Sequence, residues 1–137
     1  MKNKKILIVF ADFYKDISSS MFDAVYEYEF DDKHEYFFEA INVPGVFEIP
    51  VTIAKHMDTF DGFIALGCVI KGKTPHFDFI SSSTTDAIMK LSIKNKKPIG
   101  NGIITCLNKK QAKERISKGI DALNAVISVL SQRDYHY

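Results

Sequence analysis

The feature that most constrains the fold is a set of short apolar runs in which polar side chains do not alternate with apolar ones. The segment 4–10, KKILIVF, is such a run and is rich in branched residues. A strand exposed on one face alternates, whereas a strand covered on both faces does not. The segments 61–70, 36–41 and 97–106 read as three further strands. Together they predict a parallel sheet with helices on both faces.

Segments with helical periodicity lie between and after these runs, with apolar residues spaced by threes and fours. Strands and helices alternate without repeats or linkers, which predicts one domain over 1–137. The predicted class is α/β: a flavodoxin-like three-layer sandwich with a four-stranded parallel sheet. The expected inward positions are Ile17, Met21, Val25 and Tyr28 in the first helix, Ile49, Ile53, Met57 and Phe60 in the second, Phe77, Ile80, Ala87, Ile88 and Leu91 in the third, and Ile120, Leu123, Ile127 and Leu130 in the last.

Capping residues predict where two helices begin. Thr74 is placed to cap a helix whose first residue is Pro75 and which runs to about Asn95. Asn108 and Gln111 resemble a capping pair that opens another helix.

Composition excludes several classes of protein. The 137 residues suit one domain with a real core, and 18 basic against 17 acidic side chains suggest neither a nucleic-acid nor a lipid partner. No apolar run approaches the roughly 20 residues of a membrane span, and Asp12 follows the first run too closely for a signal peptide. Cys68 and Cys106 are most simply reduced core residues, and the histidines show no metal-ligand spacing. We therefore expect a cytoplasmic protein.

In open parallel sheets, ligands bind beyond the carboxyl ends of the strands. Phe13 follows the first predicted strand, and the segment 46–48 follows the second. The segment 71–76 follows the third, and residue 105 onward, with Arg115 on the next helix, follows the fourth. Because these ends share one rim of the sheet, we expect the residues to converge there.

His76 is the candidate base of this rim. Gly72 permits a tight turn, and a helix beginning at Thr74 would offer free N–H groups to an anion. His76 would lie in the first helical turn, where the helix dipole disfavours imidazolium and favours the neutral ring that a general base needs. A histidine that only hydrogen-bonds locally is the simpler alternative, and the neighbouring anion-binding helix end makes the two interpretations comparable.

Taken singly, the other candidates have ordinary explanations. Glu48 would be a carboxylate favoured by a helix dipole, and Phe13 is more often a core residue than a stacking platform. Arg115 would ordinarily be a solvated charge, as would Lys71, Lys73 and Lys118.

Three segments, in this order, resemble the lumazine synthase family over nearly the whole chain. They are VPGVFEIP (43–50), DGFIALGCVIKGKTPHFDFIS (61–81) and PIGNGIITCLNKKQAKER (98–115). The resemblance implies a cofactor-independent transferase of riboflavin biosynthesis. Its reaction condenses 5-amino-6-(D-ribitylamino)uracil with 3,4-dihydroxy-2-butanone 4-phosphate to 6,7-dimethyl-8-ribityllumazine, releasing phosphate and water.

The resemblance also implies roles for individual residues. His76 would be catalytic. Lys73, Thr74 and Arg115 would bind the phosphate, the first two through the helix start. Asn101 stands where many members carry an aromatic ring. The resemblance therefore places Asn101 in the substrate pocket, but without a ring-stacking role. The pyrimidine and ribityl group would contact Phe13, Val46, Phe47, Glu48, Cys68, Val69, Ile70 and Asn101.

Family members form pentamers and, in some cases, larger shells, with the residues matching Asn101 and Arg115 supplied by the adjacent subunit. We therefore expect a homopentamer. Lys118 is an ambiguous match to a second phosphate-side lysine, because the segment after Arg115 is shorter than in many members.

A catalytically impaired member that carries lumazine or riboflavin is the rival interpretation. A phosphoacceptor domain would need acidic residues where the strand ends read Ala11-Asp12-Phe13 and Val69-Ile70-Lys71, and a flavodoxin would need a phosphate loop unlike ADFYKD.

Overall fold

The computed structural model describes residues 3–135. Its sheet has four parallel strands in the order β2-β1-β3-β4. The strands are β1 (Lys4–Ala11), β2 (Tyr36–Val43), β3 (Gly62–Ile70) and β4 (Ile99–Cys106). All nine residues of β3 are buried, as its unbroken apolar sequence predicts. The predicted parallel sheet is confirmed.

Helices cover both faces of the sheet, which confirms the three-layer α/β class. They are α1 (Lys15–Glu27), α2 (Ile49–Lys55), α3 (Phe77–Asn95), α4 (Lys109–Glu114) and α5 (Lys118–Leu130), with short 3₁₀ turns at Lys33–Glu35 and Val46–Glu48. One core lies under α1, α4 and α5, and a second lies under α2 and α3. Successive residues of β1 alternate between them, with Ile6 and Ile8 in the first core and Leu7 and Val9 in the second.

Two helix boundaries differ from the predictions. The helix α2 ends at Lys55, yet Met57 and Phe60 are still buried, because a hydrogen-bonded turn at 56–60 returns them to the core. The third helix begins at Phe77, so the prediction that Thr74 caps it is wrong. The Thr74 N–H instead donates to Ile70 O at 3.0 Å, which closes a turn ahead of the helix.

The predicted cap of α4 is confirmed. The Gln111 N–H donates to Asn108 Oδ1 at 2.9 Å, and Gln111 Oε1 accepts from the Leu107 N–H at 2.8 Å. These bonds satisfy two backbone donors that the helix start would otherwise leave free. Across residues 3–135, no helix combines the length and the apolar character that crossing a membrane requires.

Candidate active site

A cavity of about 350 Å³ opens at the carboxyl ends of the strands, where the sequence places the site. It is walled by the turn after β1, the turn after β2, the end of β3 and the loop before α3. Of the predicted site residues, it gathers Phe13, Val46, Phe47, Glu48, Cys68, Val69, Thr74 and His76. The predicted convergence of three strand ends is therefore observed within one chain.

The turn after β1 presents Phe13 to solvent and to the cavity. Its side chain is 64% exposed, so the core interpretation of Phe13 is wrong. The turn is held to β2 by two hydrogen bonds: the Asp12 N–H donates to Val43 O at 3.0 Å, and Asn42 Nδ2 donates to Asp12 Oδ2 at 2.9 Å. An exposed phenyl ring on a fixed turn is suited to stacking on a planar ligand.

The turn after β2 supplies the second wall. Val46 is buried and Phe47 is 55% exposed, with its ring 6.4 Å from that of Phe79. Gly67 of β3 makes the close approach of Val46 possible, because a Cβ on Gly67 would lie only 2.6 Å from Val46 Cγ1. Glu48 follows at the position just before α2, as expected for a carboxylate at a helix start.

The end of β3 supplies a wall without a reactive nucleophile. Burial, and then the neighbouring Cys106, raise the pKa of the Cys68 thiol to about 12, so Cys68 is an uncharged thiol at neutral pH. Its Sγ lies 4.0 Å from that of Cys106. Both cysteines are free and buried, in agreement with their prediction as core residues.

His76 lies immediately before α3, at the N-cap position, and not within the first helical turn as predicted. Its backbone is left-handed, with φ at 58°. The first intrahelical bond runs from the Ile80 N–H to His76 O at 2.9 Å. The N–H groups of 77–79 precede that bond, so the end of α3 beside His76 has the donors that an anion site uses.

The expected phosphate contacts of Lys73 and Thr74 need a correction. Their backbone N–H groups donate to Ile70 O at 3.3 and 3.0 Å, so these amides are already engaged. Any contact of Thr74 with a ligand would therefore use its hydroxyl, which lies 2.8 Å from Oη of Tyr14.

Four predicted residues do not line the cavity. Ile70 is buried, and its carbonyl is used by the turn that follows, while Lys73 is exposed on that turn. Asn101 lies early in β4 and accepts from the Ile103 N–H at 3.0 Å. Arg115 follows α4 and its Nη1 donates to Thr105 O at 2.7 Å. The contribution of Asn101 and Arg115 from an adjacent subunit stays a prediction.

The sequence reasoning missed Tyr14 at this site. Tyr14 packs edge-on against Phe13, with ring centroids 4.9 Å apart, and bonds a residue 60 positions away. The only local signal was its place beside Phe13 at a strand end. Residues 3–135 hold no group of three His, Cys, Asp or Glu side chains able to bind a metal ion.

Comparison with known proteins agrees with this geometry. The family model described as 6,7-dimethyl-8-ribityllumazine synthase matches residues 3–134. The chain belongs to the lumazine synthase family.

Three proteins named 6,7-dimethyl-8-ribityllumazine synthase illustrate the relationship. The Bartonella tribocorum protein is 41% identical over 83% of this chain and 76% of its own length. The Agrobacterium fabrum protein is 37% identical over 86% of this chain and 83% of its own length. The Cutibacterium acnes protein is 42% identical, over 66% of this chain and 59% of its own length. The family resemblance seen in the three sequence segments is confirmed.

Proposed function

We propose that this chain carries out the reaction of its family. It would condense 5-amino-6-(D-ribitylamino)uracil with 3,4-dihydroxy-2-butanone 4-phosphate to 6,7-dimethyl-8-ribityllumazine, without a cofactor. The observation that carries the proposal is a cavity uniting Phe13, Glu48 and His76 in a chain that matches the family over residues 3–134.

The cavity fits the pyrimidine half of the reaction. Phe13 would stack on the planar ring, while Phe47 and Glu48 would contact the ribityl chain. The cavity, of about 350 Å³, lies at the lower end of the roughly 300–1,000 Å³ range of small-molecule sites. Because Asn101 and Arg115 do not line it, we expect an adjacent subunit to complete the pocket for the second substrate.

The phosphate half would lie at the start of α3. The free N–H groups of 77–79 and the Thr74 hydroxyl are hydrogen-bond donors there, and Arg115 of a neighbouring subunit would add the cation. Releasing the Arg115 side chain would break its bond to Thr105 O, which is exposed to solvent and can bond water instead.

The chemistry needs a proton acceptor more than an electrophile, because the substrate ketone already supplies the electrophile. The amine attacks the ketone and water leaves to form an imine. Elimination of phosphate then leaves an enol, which tautomerises to a second ketone. The second amine attacks this ketone, and a second water leaves as the ring closes. Holding both substrates supplies effective molarities of about 10⁵ M in favourable cases, and a base such as His76 adds roughly 10²–10⁴-fold.

We further propose a homopentamer. Apolar side chains on α2 and α3 are exposed in the single chain, which supports an interface on that side of the molecule; they are Val51, Phe79, Met89 and Ile93. Exposed apolar side chains on two neighbouring helices are consistent with contact with another chain. Light scattering should give a mass five times that of the 15.5 kDa chain. We place the protein in the cytoplasm, where its free thiols would stay reduced.

Turnover tests the proposed reaction. Purified protein is mixed with both substrates, and lumazine formation is followed by absorbance or fluorescence. We expect formation well above the uncatalysed background, and a rate at least about 10²-fold lower for His76→Ala. Binding of lumazine or riboflavin without turnover would favour the carrier interpretation instead.

A further inference from the structure

Two hydroxyl groups meet at the rim of the cavity, on loops that are far apart in the sequence. Oη of Tyr14 lies 2.8 Å from Oγ1 of Thr74, and both side chains are partly buried. Tyr14 occupies the N-cap position of α1, and Thr74 lies in the loop between β3 and α3. Within residues 3–135, this is the one side-chain hydrogen bond that joins these two loops.

The hydrogen count of this pair leaves a donor for a ligand. Two hydroxyls that share one hydrogen bond retain one hydrogen. When Tyr14 donates, the Thr74 hydroxyl is oriented by the bond and its own hydrogen remains available. Thr74 lines the cavity two residues before the N-cap of α3, where the free N–H groups already favour an anion. An anionic oxygen is the acceptor with which a hydroxyl forms its stronger hydrogen bonds.

We propose that Tyr14 is a positioning residue that orients the Thr74 hydroxyl toward the phosphate of the butanone substrate, an inference that rests on the proposed function. The backbone amide of Thr74 cannot take this role, because it donates to Ile70 O. The Tyr14 ring also packs edge-on against Phe13, at an interplanar angle of 79°. One side chain thus links the ring expected at the pyrimidine to the hydroxyl expected at the phosphate.

The substitution Tyr14→Phe separates these two contacts, because it keeps the ring beside Phe13 and removes only the hydroxyl. The dissociation constant of each substrate is measured by calorimetry with the other substrate absent, so that no reaction occurs. For the butanone phosphate we expect an increase of about three- to tenfold, the range for loss of one hydrogen bond. For the pyrimidine we expect no change.

A double-mutant cycle isolates the pair. Thr74→Val should weaken butanone phosphate binding at least as much as Tyr14→Phe does, and the double variant should bind no more weakly than Thr74→Val alone. Thr74→Ser, which keeps a hydroxyl, should restore most of the affinity. Fold-changes that multiply in the double variant would show that the two hydroxyls act independently, which would overturn the inference.

The matched control is Tyr26→Phe, which removes a phenol hydroxyl from the exposed face of α1, where the Tyr26 ring stacks on Phe22. It should leave both dissociation constants unchanged. If Tyr14→Phe weakens both substrates equally, or neither, the positioning role is refuted. Because binding is read without turnover, a protein that bound both substrates but made no lumazine would refute the proposed reaction and still decide the role of Tyr14. Failure of the unsubstituted protein to bind butanone phosphate would overturn the inference outright.

Discussion

His76 combines a functional position with a backbone conformation that few side chains adopt. Its φ of 58° is left-handed, which costs an L-residue other than glycine roughly 1–2 kcal/mol. The conformation ends the loop before α3 and leaves the imidazole at the cavity wall. A strained residue at such a place is consistent with a site whose geometry matters more than local stability.

This conformation predicts an unusual order of stabilities. The free energy of unfolding of His76→Gly should exceed that of His76→Ala by about 1 kcal/mol, because only Gly adopts left-handed φ without a steric penalty. At Ser82, an exposed position inside α3, the Ala variant should instead be the more stable by about 1 kcal/mol, since Gly is unfavourable in a helix interior. Urea unfolding of the four variants measures both differences. Equal stability of the two residue-76 variants would contradict the left-handed assignment.

Arg115 offers a second test at the level of one side chain. Arg115→Ala should raise the KM for the butanone phosphate roughly 10- to 150-fold, the effect of losing a charge-assisted contact worth about 1.5–3 kcal/mol. The KM for the pyrimidine should change far less. Lys113→Ala, which removes an exposed cation of α4 two residues before Arg115, is the control and should alter neither KM. Equal effects of Arg115→Ala on both substrates would contradict its assignment to the phosphate.

Among the elements, α4 shows how a short helix is fixed by its ends. It has six residues, too few to be stable by propensity alone, and only Ala112 is fully buried. Its cap at Asn108 and Gln111 supplies two of the hydrogen bonds that hold its start. Arg115 follows the helix directly, so the cap also helps to fix the position of the Arg115 backbone.

Removal of the cap should be measurable in both stability and function. Asn108→Ala should lower the free energy of unfolding by about 1 kcal/mol, and Asn108→Ser should recover most of the loss because serine also caps. In the proposed pentamer, the Ala variant should also raise the KM for butanone phosphate, since fraying of α4 displaces Arg115. Chemical unfolding and substrate titrations measure the two effects. A stability equal to that of the unsubstituted protein would show that the cap bond contributes nothing.

The strand β3 was predictable from sequence because burial on both faces leaves a direct trace in composition. The edge strand β2 shows the limit of that argument, since only Val43 of its eight residues is fully buried although its sequence is largely apolar. The start of α3 was not predictable, because it depends on a left-handed residue and on a turn back to Ile70 that pattern rules do not encode. The end of α2 was missed for a related reason: burial of Met57 and Phe60 has helical spacing, but a turn achieves it. Helical spacing predicts which side chains are buried, but it does not determine whether the backbone between them is helical.

At the scale of the whole molecule, the strand-end rule correctly predicted which loops line the cavity. It brought together residues from three loops, because the carboxyl ends of parallel strands share one rim. It could not reveal the bond between Tyr14 and Thr74, which depends on the height and direction of two loops. It also could not bring Arg115 to the cavity, which within one chain Arg115 does not line.

Sharing of the site between subunits can be tested by complementation. His76→Ala and Arg115→Ala protomers are co-expressed, purified as mixed oligomers and assayed at a butanone phosphate concentration far below the raised KM of Arg115→Ala, where each variant alone is nearly inactive. If neighbours supply the two residues, random mixing in a head-to-tail ring restores about a quarter of the sites. Co-expression of His76→Ala with Glu48→Ala, both on the wall formed by one chain, is the control and should recover nothing. No recovery in the first mixture would place His76 and Arg115 in the same subunit's site.

The strand β3 passes from the middle of the protein directly into the cavity wall, with no spacer between the residues that hold the two cores together and those at Cys68 and Val69. Substitutions in the buried part of β3 should therefore alter substrate binding as well as stability. Substitutions in this strand that raise thermal stability should also change kcat or KM. Substitutions on the outer surfaces of α1 and α5 should raise stability with less effect on catalysis.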